Sequence, residues 1–220
     1  MLNIFRVAAD LSHLASIFIL LHTVRKTGQI DGISLKTQVL YVIVFCTRYL
    51  DLLTFHWTSF YNTLLKLVFI CSSVYVVMLM ERCKVTNAVA YRDMLIRDTF
   101  QIKYLLGASA VLALFFHYKF TVLELCWSFS MWLESIAILP QLFMLSRSHK
   151  TQTLTTHYIF SLGLYRALYI PNWIWRYTFE GRKLDKWSVI TGVIQTLLYS
   201  DFFYIYYKKV LRGKGFELPT

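Results

Sequence analysis

The sequence predicts an all-α membrane protein of seven transmembrane helices, arranged as two three-helix bundles joined by a linking helix. Three observations predict it. The 220 residues are 57% hydrophobic and only 16% charged, whereas a soluble domain is about 45–50% apolar and about 25% charged. Too little charge remains to cover a water-facing surface, and the same figures exclude disorder, collagen and secreted disulfide scaffolds. A span needs about 20 apolar residues, so seven spans take roughly 140 and leave short loops without a large soluble domain. The basic residues are also segregated along the chain as a membrane topology demands.

Apolar runs place the spans at Leu2–Val24, Thr37–Phe55, Phe60–Met80, Gln101–His117, Thr121–Leu145, Leu154–Tyr177 and Trp187–Tyr207. The first run lacks a small-residue cleavage site and carries Arg6, Asp10 and His13, so it reads as a retained helix and not as a signal peptide. With the amino terminus lumenal, the cytosolic segments collect fourteen basic residues: Arg25, Lys26, Lys36, Arg82, Lys84, Arg92, Arg97, Lys103, Arg147, Lys150, Lys208, Lys209, Arg212 and Lys214. The opposite side collects five, Arg6, Lys119, Arg182, Lys183 and Lys186. That asymmetry predicts a lumenal amino terminus and a cytosolic tail at 208–220. Lys66 lies near the lumenal end of its helix, close enough to snorkel. In a soluble protein the net charge of +11 would suggest nucleic acid; here topology accounts for the basic residues and no nucleic-acid partner is expected. Cys46, Cys71, Cys83 and Cys126 show no CxxC pairing and read as buried packing residues, with no disulfide framework, metal site or cofactor implied.

A short repeat runs through the chain. Arg25 precedes Ser34-Leu35-Lys36-Thr37-Gln38 and then Arg48, while Arg147 precedes Thr153-Leu154-Thr155-Thr156-His157 and then Arg166. Each stretch leads from a basic turn into a helix with an arginine deep inside. The match predicts parallel repeat units at about 1–80 and 121–207 within a single domain of 1–220, an arrangement found in small transporters.

Ionised groups inside a bilayer cost about 2.5–3.5 kcal/mol each at helix centre even on lenient scales, so they are expected to face a polar cavity. Arg6, Asp10 and His13 share one stripe of the first helix, and Arg48 and Asp51 are three apart on the second. Glu124, Trp127 and Glu134 cluster on one side of the fifth; Arg166, Tyr169, Trp173 and Arg176 follow one face of the sixth. Pro171 is expected to kink that helix near Ile170. Arg48 with Asp51, or Arg166 with Asp201, are alternative structural ion pairs; Tyr165, Tyr169, Trp173 and Trp175 are alternatively an interfacial belt. Four arginines from three helices exceed the nearby acids, which predicts buried cations short of countercharge and an anionic guest. Guanidinium forks suit a small ligand with several carboxylates, such as an Asp-Glu-Leu carboxyl-terminal tail. Asp51 and Glu124 remain to meet a basic residue just before that tail.

The longer motifs are Asp10-Leu11-Ser12-His13-Leu14, Arg48-Tyr49-Leu50-Asp51-Leu52, Trp132-Leu133-Glu134-Ser135, Ile138-Leu139-Pro140-Gln141-Leu142-Phe143, Asn172-Trp173-Ile174-Trp175-Arg176-Tyr177 and Tyr199-Ser200-Asp201-Phe202-Phe203-Tyr204. Together they resemble the KDEL (HDEL) receptor family, the ER lumen protein-retaining receptors, over essentially the whole chain. Pro140-Gln141 also resembles the PQ-loop and SWEET transporter fold. The resemblance implies a non-enzymatic receptor of Golgi and endoplasmic reticulum membranes that returns escaped lumenal proteins by their carboxyl-terminal tetrapeptide, aided by the COPI coat. It implies that Arg48, near Tyr49, holds the terminal carboxylate, Arg6 the glutamate, and Arg176, beside Trp173, the aspartate. Asp51 and Glu124 would meet the fourth residue from the end, whose identity stays open, and Tyr165, Arg166, Tyr169, Asn172 and Trp127 would complete the pocket. Binding in the family is tight at mildly acidic pH and weak at neutral pH. His13 is implicated, rearranging Glu134 and Tyr165, which fits an ordinary histidine pKa of about 6.5. Lys208, Lys209, Arg212 and Lys214 are the candidates for contact with the coat, although Glu217-Leu218-Pro219-Thr220 lacks a simple terminal dilysine signal.

A small-solute transporter of the same fold is the alternative, opposed by the surplus of arginine, which a sugar does not need. The sequence holds no HExxH, no nucleophile elbow and no phosphate loop, so an intramembrane enzyme is not predicted.

Overall fold

The structure, a computed structural model, describes residues 3–27, 30, 32–54, 59–146, 153–181 and 183–207. The described residues form helices and connecting segments, with no strand among them. Ten α-helices follow in order: α1 (Ile4–His22), α2 (Leu35–Arg48), α3 (Phe60–Thr86), α4 (Ala88–Arg97), α5 (Ile102–Phe115), α6 (Val122–Ile136), α7 (Leu139–Ser146), α8 (Thr153–Thr178), α9 (Lys186–Leu198) and α10 (Ser200–Tyr206). A π turn continues α1 through Thr23–Thr27, and a 3-10 turn continues α2 through Leu50–Thr54.

Short polar side chains start these helices by accepting from otherwise unmet backbone N–H groups. Asn3 accepts from the Arg6 amide, Ser34 from Thr37, Asn87 from Ala90, Thr121 from Glu124 and Asp185 from Trp187. The apolar run expected as one span at Thr121–Leu145 matches a single stretch, Val122–Ser146, long and apolar enough to cross a membrane, with its helix interrupted at Ala137–Ile138. Pro140 has no N–H to offer the Ile136 carbonyl, which explains the break. Pro171 does not end α8, which runs through it. The helix α4 was not among the expected spans; it is short and polar, with Arg92, Asp93 and Arg97.

All seven apolar runs are helical, but by length and composition fewer than seven qualify alone as spans. Ile4–Lys26, Phe60–Thr86 and Val122–Ser146 are long and apolar enough to cross a membrane, and the bent pair Lys186–Leu198 with Ser200–Tyr206 makes a fourth. The helix α8 has the length without the apolar content, while α2 and α5 are 14 residues each. Large apolar side chains such as Leu11, Phe18, Leu64, Leu114 and Leu197 stand exposed, as a surface bathed in lipid permits. The four cysteines are free. Only Cys83 is buried, while Cys46 and Cys71 are exposed, so packing does not account for those two.

The chain divides into two compact units. One comprises Met1–Gly32 with Leu145–Thr220, the other Ile33–Met144. In the first, α8 packs along α1 and against α9 and α10. Glycines permit the closest approaches: a Cβ at Gly163 would lie 2.6 Å from the Tyr199 ring, and one at Gly192 would lie 2.3 Å from the Trp173 indole.

In the second unit α2 packs on α3 and α6, and α5 on α6. A buried polar knot fastens the start of α2. Ser34 Oγ and the Lys36 amide both donate to Asp98 Oδ2, at 2.9 and 3.0 Å. The Ser34 amide donates to Gln141 Oε1 at 2.8 Å, and the Gln141 amide donates back to Thr37 Oγ1 at 3.0 Å. Asp98 lies outside the membrane-spanning segments. Burial pushes its carboxyl above the usual value of 3.8, opposed by the hydrogen bonds from Lys36 and Ser34 and by the Lys36 charge.

Candidate ligand-binding site

Each unit gathers its own share of the expected site residues. In the second unit Arg48 is the last residue of α2 and points at α6. Its Nη1 ion-pairs with Glu134, Nε donates to Ser130 Oγ at 3.1 Å, and Nη2 donates to the Ser130 carbonyl at 2.9 Å. Glu134 is 1% exposed, so this pair is a buried one. Three of the five guanidinium N–H donors are thereby used, leaving two for a ligand.

A cavity of about 400 Å³ opens beside this pair, lined by Arg48, Tyr49, Leu50, Asp51, Lys66, Thr121, Leu123, Glu124 and Trp127. Five of the residues expected to bind ligand meet there. Asp51 lies on the 3-10 turn after α2 and pairs with Lys66 of α3. Lys66 Nζ also stands 5.7 Å from the Tyr49 ring centre, within cation–π reach. Glu124 Oε1 is buried with no hydrogen-bond partner among the described residues. A buried carboxylate oxygen without a donor is unfavourable, so this atom is suited to a cation brought from outside. Lys66 was not expected in the site. The sequence held its signal, a lysine near a helix end, but hydropathy alone assigns such a residue to the headgroups.

In the first unit α1 and α8 present the remaining residues. Arg6 and Asp10 are one turn apart with Nε and Oδ2 separated by 3.9 Å, and Tyr169 donates to Asp10 Oδ1 at 3.2 Å. His13 is buried and stacks on Tyr165, ring centres 4.4 Å apart and planes within 10°. Asn3 Nδ2 donates to Asn172 Oδ1 at 2.7 Å. Arg166, 5% exposed, donates from Nε to Gln195 Oε1 at 2.6 Å and lies over the Tyr165 ring. Trp173 packs at 6.0 Å from Tyr169 and fills the space left by Gly192. Arg176 Nε approaches Glu180 at 3.8 Å, while that nitrogen makes no hydrogen bond among the described residues.

One expectation is corrected by these contacts. The arginines were expected to lack protein countercharge, yet Arg6, Arg48 and Arg176 each have a carboxylate within 4 Å. The Arg48–Glu134 contact is a hydrogen-bonded ion pair, whereas Arg6 Nε and Arg176 Nε stand 3.9 and 3.8 Å from their carboxylates. Neither alternative pair forms: Arg48 meets Glu134 and not Asp51, and Arg166 meets the neutral Gln195 while Asp201 is exposed. The reason is local. The helix ends at Arg48, and the tighter 3-10 turn carries Asp51 toward Lys66. The basic tail residues Lys208, Lys209, Arg212 and Lys214 lie outside the described residues.

Known proteins resemble this chain throughout. The profile of the family described as ER lumen protein retaining receptor matches residues 29–176. The ER lumen protein-retaining receptor of Saccharomyces cerevisiae is 64% identical over 218 residues, covering 99% of this chain and 100% of that protein. The protein of the same name from Kluyveromyces lactis is 62% identical with full coverage of both chains. ER lumen protein-retaining receptor 2 of Gallus gallus is 49% identical, again with full coverage of both.

Proposed function

Because the chain belongs to the ER lumen protein-retaining receptor family, we propose that it retrieves escaped lumenal proteins by binding their HDEL- or KDEL-type carboxyl-terminal tails. The observation that carries this reading is the mixed-charge cavity at Arg48, Lys66 and Glu124, walled by Tyr49 and Trp127. Two cations in its lining suit a terminal carboxylate, and the unmet Glu124 oxygen suits a basic residue preceding the acidic pair. In this reading Arg48 uses its two remaining donors as a fork for the carboxylate. Arg6, Arg166 and Arg176 take the acidic side chains, and Tyr165, Tyr169, Asn172 and Trp173 supply hydrogen bonds and walls. Nothing in this sequence of contacts requires bond chemistry, so the protein acts as a receptor and not as an enzyme.

Binding at mildly acidic pH and release at neutral pH follow if His13 carries a proton in the first state. Stacked on Tyr165, a protonated imidazole adds a cation on the face that bears Arg6 and Asp10 and alters the donors available to the Tyr165 hydroxyl. Glu134 is the second candidate, because it shares Arg48 with the incoming carboxylate. Localisation to Golgi and endoplasmic reticulum membranes follows from the same role.

We further propose seven spans, resting on the seven apolar runs, with the amino terminus lumenal, resting on the uneven distribution of basic residues, and two repeats of about 1–80 and 121–207 in the PQ-loop arrangement. The segment bearing Lys208, Lys209, Arg212 and Lys214 then faces the COPI coat, with acidic lipid headgroups as a competing partner. The small-solute transporter is not favoured, since relatives at 64% and 62% identity are receptors by name.

The test is a titration of purified protein with a fluorescent peptide ending in His-Asp-Glu-Leu at mildly acidic and at neutral pH. Saturable binding at the first and its loss at the second are expected. Equal binding at both values, or none at either, overturns the retrieval reading.

A further inference from the structure

The helix α9 contributes none of the residues that the sequence motifs assign to the ligand, yet it touches two of them. Gln195 is fully buried, and its side-chain oxygen receives the Arg166 Nε–H at 2.6 Å. A guanidinium has donors and no acceptor, so this contact fixes the amide: oxygen toward Arg166, Nε2 away from it. That nitrogen is buried and finds no hydrogen-bond partner among the described residues. Buried amide donors are nearly always met in folded proteins, so this N–H is suited to an acceptor brought by a ligand. One turn earlier on the same face, Gly192 seats the Trp173 indole; a Cβ there would stand 2.3 Å from it. Two successive positions of α9 thus set two side chains of α8, seven residues apart on one face of that helix.

We propose that Gln195 is a further ligand-binding and specificity residue: it aims Arg166 through Oε1 and offers its Nε2–H to a carboxylate oxygen of the acidic tail. The inference rests on the retrieval reading above and deepens it. What selects glutamine here is neutrality. Glutamate has the same shape and would hold Arg166 more tightly, but it would offer the tail a second negative charge where glutamine offers a donor. A site for anions therefore needs the amide. A site in which this contact merely locked α8 to α9 would do as well or better with the acid.

The experiment uses the full chain in detergent at mildly acidic pH, with a fluorescent peptide ending in His-Asp-Glu-Leu, and compares the parent with Gln195→Glu and Gln195→Met. Thermal unfolding of each is measured alongside. Gln195→Glu is expected to weaken the peptide by about 100-fold and Gln195→Met by about 10-fold, the scale of one lost charge-assisted hydrogen bond with and without an added repulsion. A readout that a purely structural role would not move is the tail's own charge. A peptide with Asn in place of its Asp should lose less affinity for Gln195→Glu than the acidic peptide does. Gln195→Glu binding the acidic peptide within about threefold of the parent overturns the inference. Should Gln195→Glu fail to fold, Gln195→Met decides alone, and parental affinity in that variant overturns it. If the parent itself binds no tail peptide, the retrieval reading fails and this inference falls with it; if the parent binds and the variants match it, only the inference falls.

Discussion

The two compact units hold their arginines by different means. In the unit of Ile33–Met144, Arg48 and Lys66 are each clamped by a carboxylate, Glu134 and Asp51. In the other, Arg166 donates to a neutral amide and lies over an aromatic ring, while Arg6 Nε and Arg176 Nε stand 3.9 and 3.8 Å from carboxylates. A cation clamped by an acid is fixed before ligand arrives and must share that acid's claim. A cation aimed by an amide is positioned through a neutral contact. The contrast teaches that loss of a clamped arginine endangers the fold as well as binding, whereas changes among amide-held groups alter affinity or pH response first.

The largest effect is expected where the clamp is tightest. Arg48→Ala should abolish tail binding. It should also lower stability by about 3 kcal/mol, because it removes one partner of a buried ion pair. Arg48→Lys should keep the fold and still lose most binding, since an ammonium cannot form the fork. Peptide titration paired with thermal unfolding separates the two, and unchanged stability in Arg48→Ala would break the comparison.

Next comes Gly192→Ala, which adds a methyl where 2.3 Å separates it from the Trp173 indole. Overpacking of this kind costs about 1–3 kcal/mol. A lower melting temperature with weaker tail binding is expected; parental values for both would show that the indole moves aside freely. His13→Ala should leave the melting temperature close to parental and flatten the change in peptide affinity between mildly acidic and neutral pH. Retention of the full pH response would shift the switch to the clamped side, at Glu134.

The smallest effect concerns Asp98, at the opposite end of α2 from Arg48. Its folded-state pKa lies above the ordinary 3.8, so the group favours folding most below that value. That contribution is lost as pH rises through the raised folded value. Asp98→Asn should remove this slope from the pH dependence of the melting temperature while leaving tail affinity unchanged. A slope identical to the parent's assigns the titration to another group.

Much of this was legible before any coordinates. Apolar run length located every long helix, because burial in lipid leaves a signal in each residue of a span. The stripe Arg6, Asp10, His13 was readable because three- and four-residue spacing forces one face on a helix. Which charge meets which was not. Arg48 and Asp51 are three apart and would share a face on a continuing helix, but α2 stops between them and each turns to another helix. Partner choice depends on how α2, α3 and α6 pack, and that is not written in local spacing. Gln195 and Lys66 escaped for a similar reason: a lone buried glutamine and a lysine near a helix end acquire meaning only from the arginine or cavity placed opposite them.

The knot at the start of α2 has a mechanical consequence. Its Ser34 end is tied to Gln141 on α7, and its Arg48 end, about 20 Å away at 1.5 Å per residue, is tied to Glu134 on α6. A rod bolted at both tips to neighbouring parts of one frame cannot slide lengthwise or roll without shearing both bolts together. These ties favour α2, α6 and α7 moving together as one girder, so that any shift on capture of a tail is expected to pivot elsewhere.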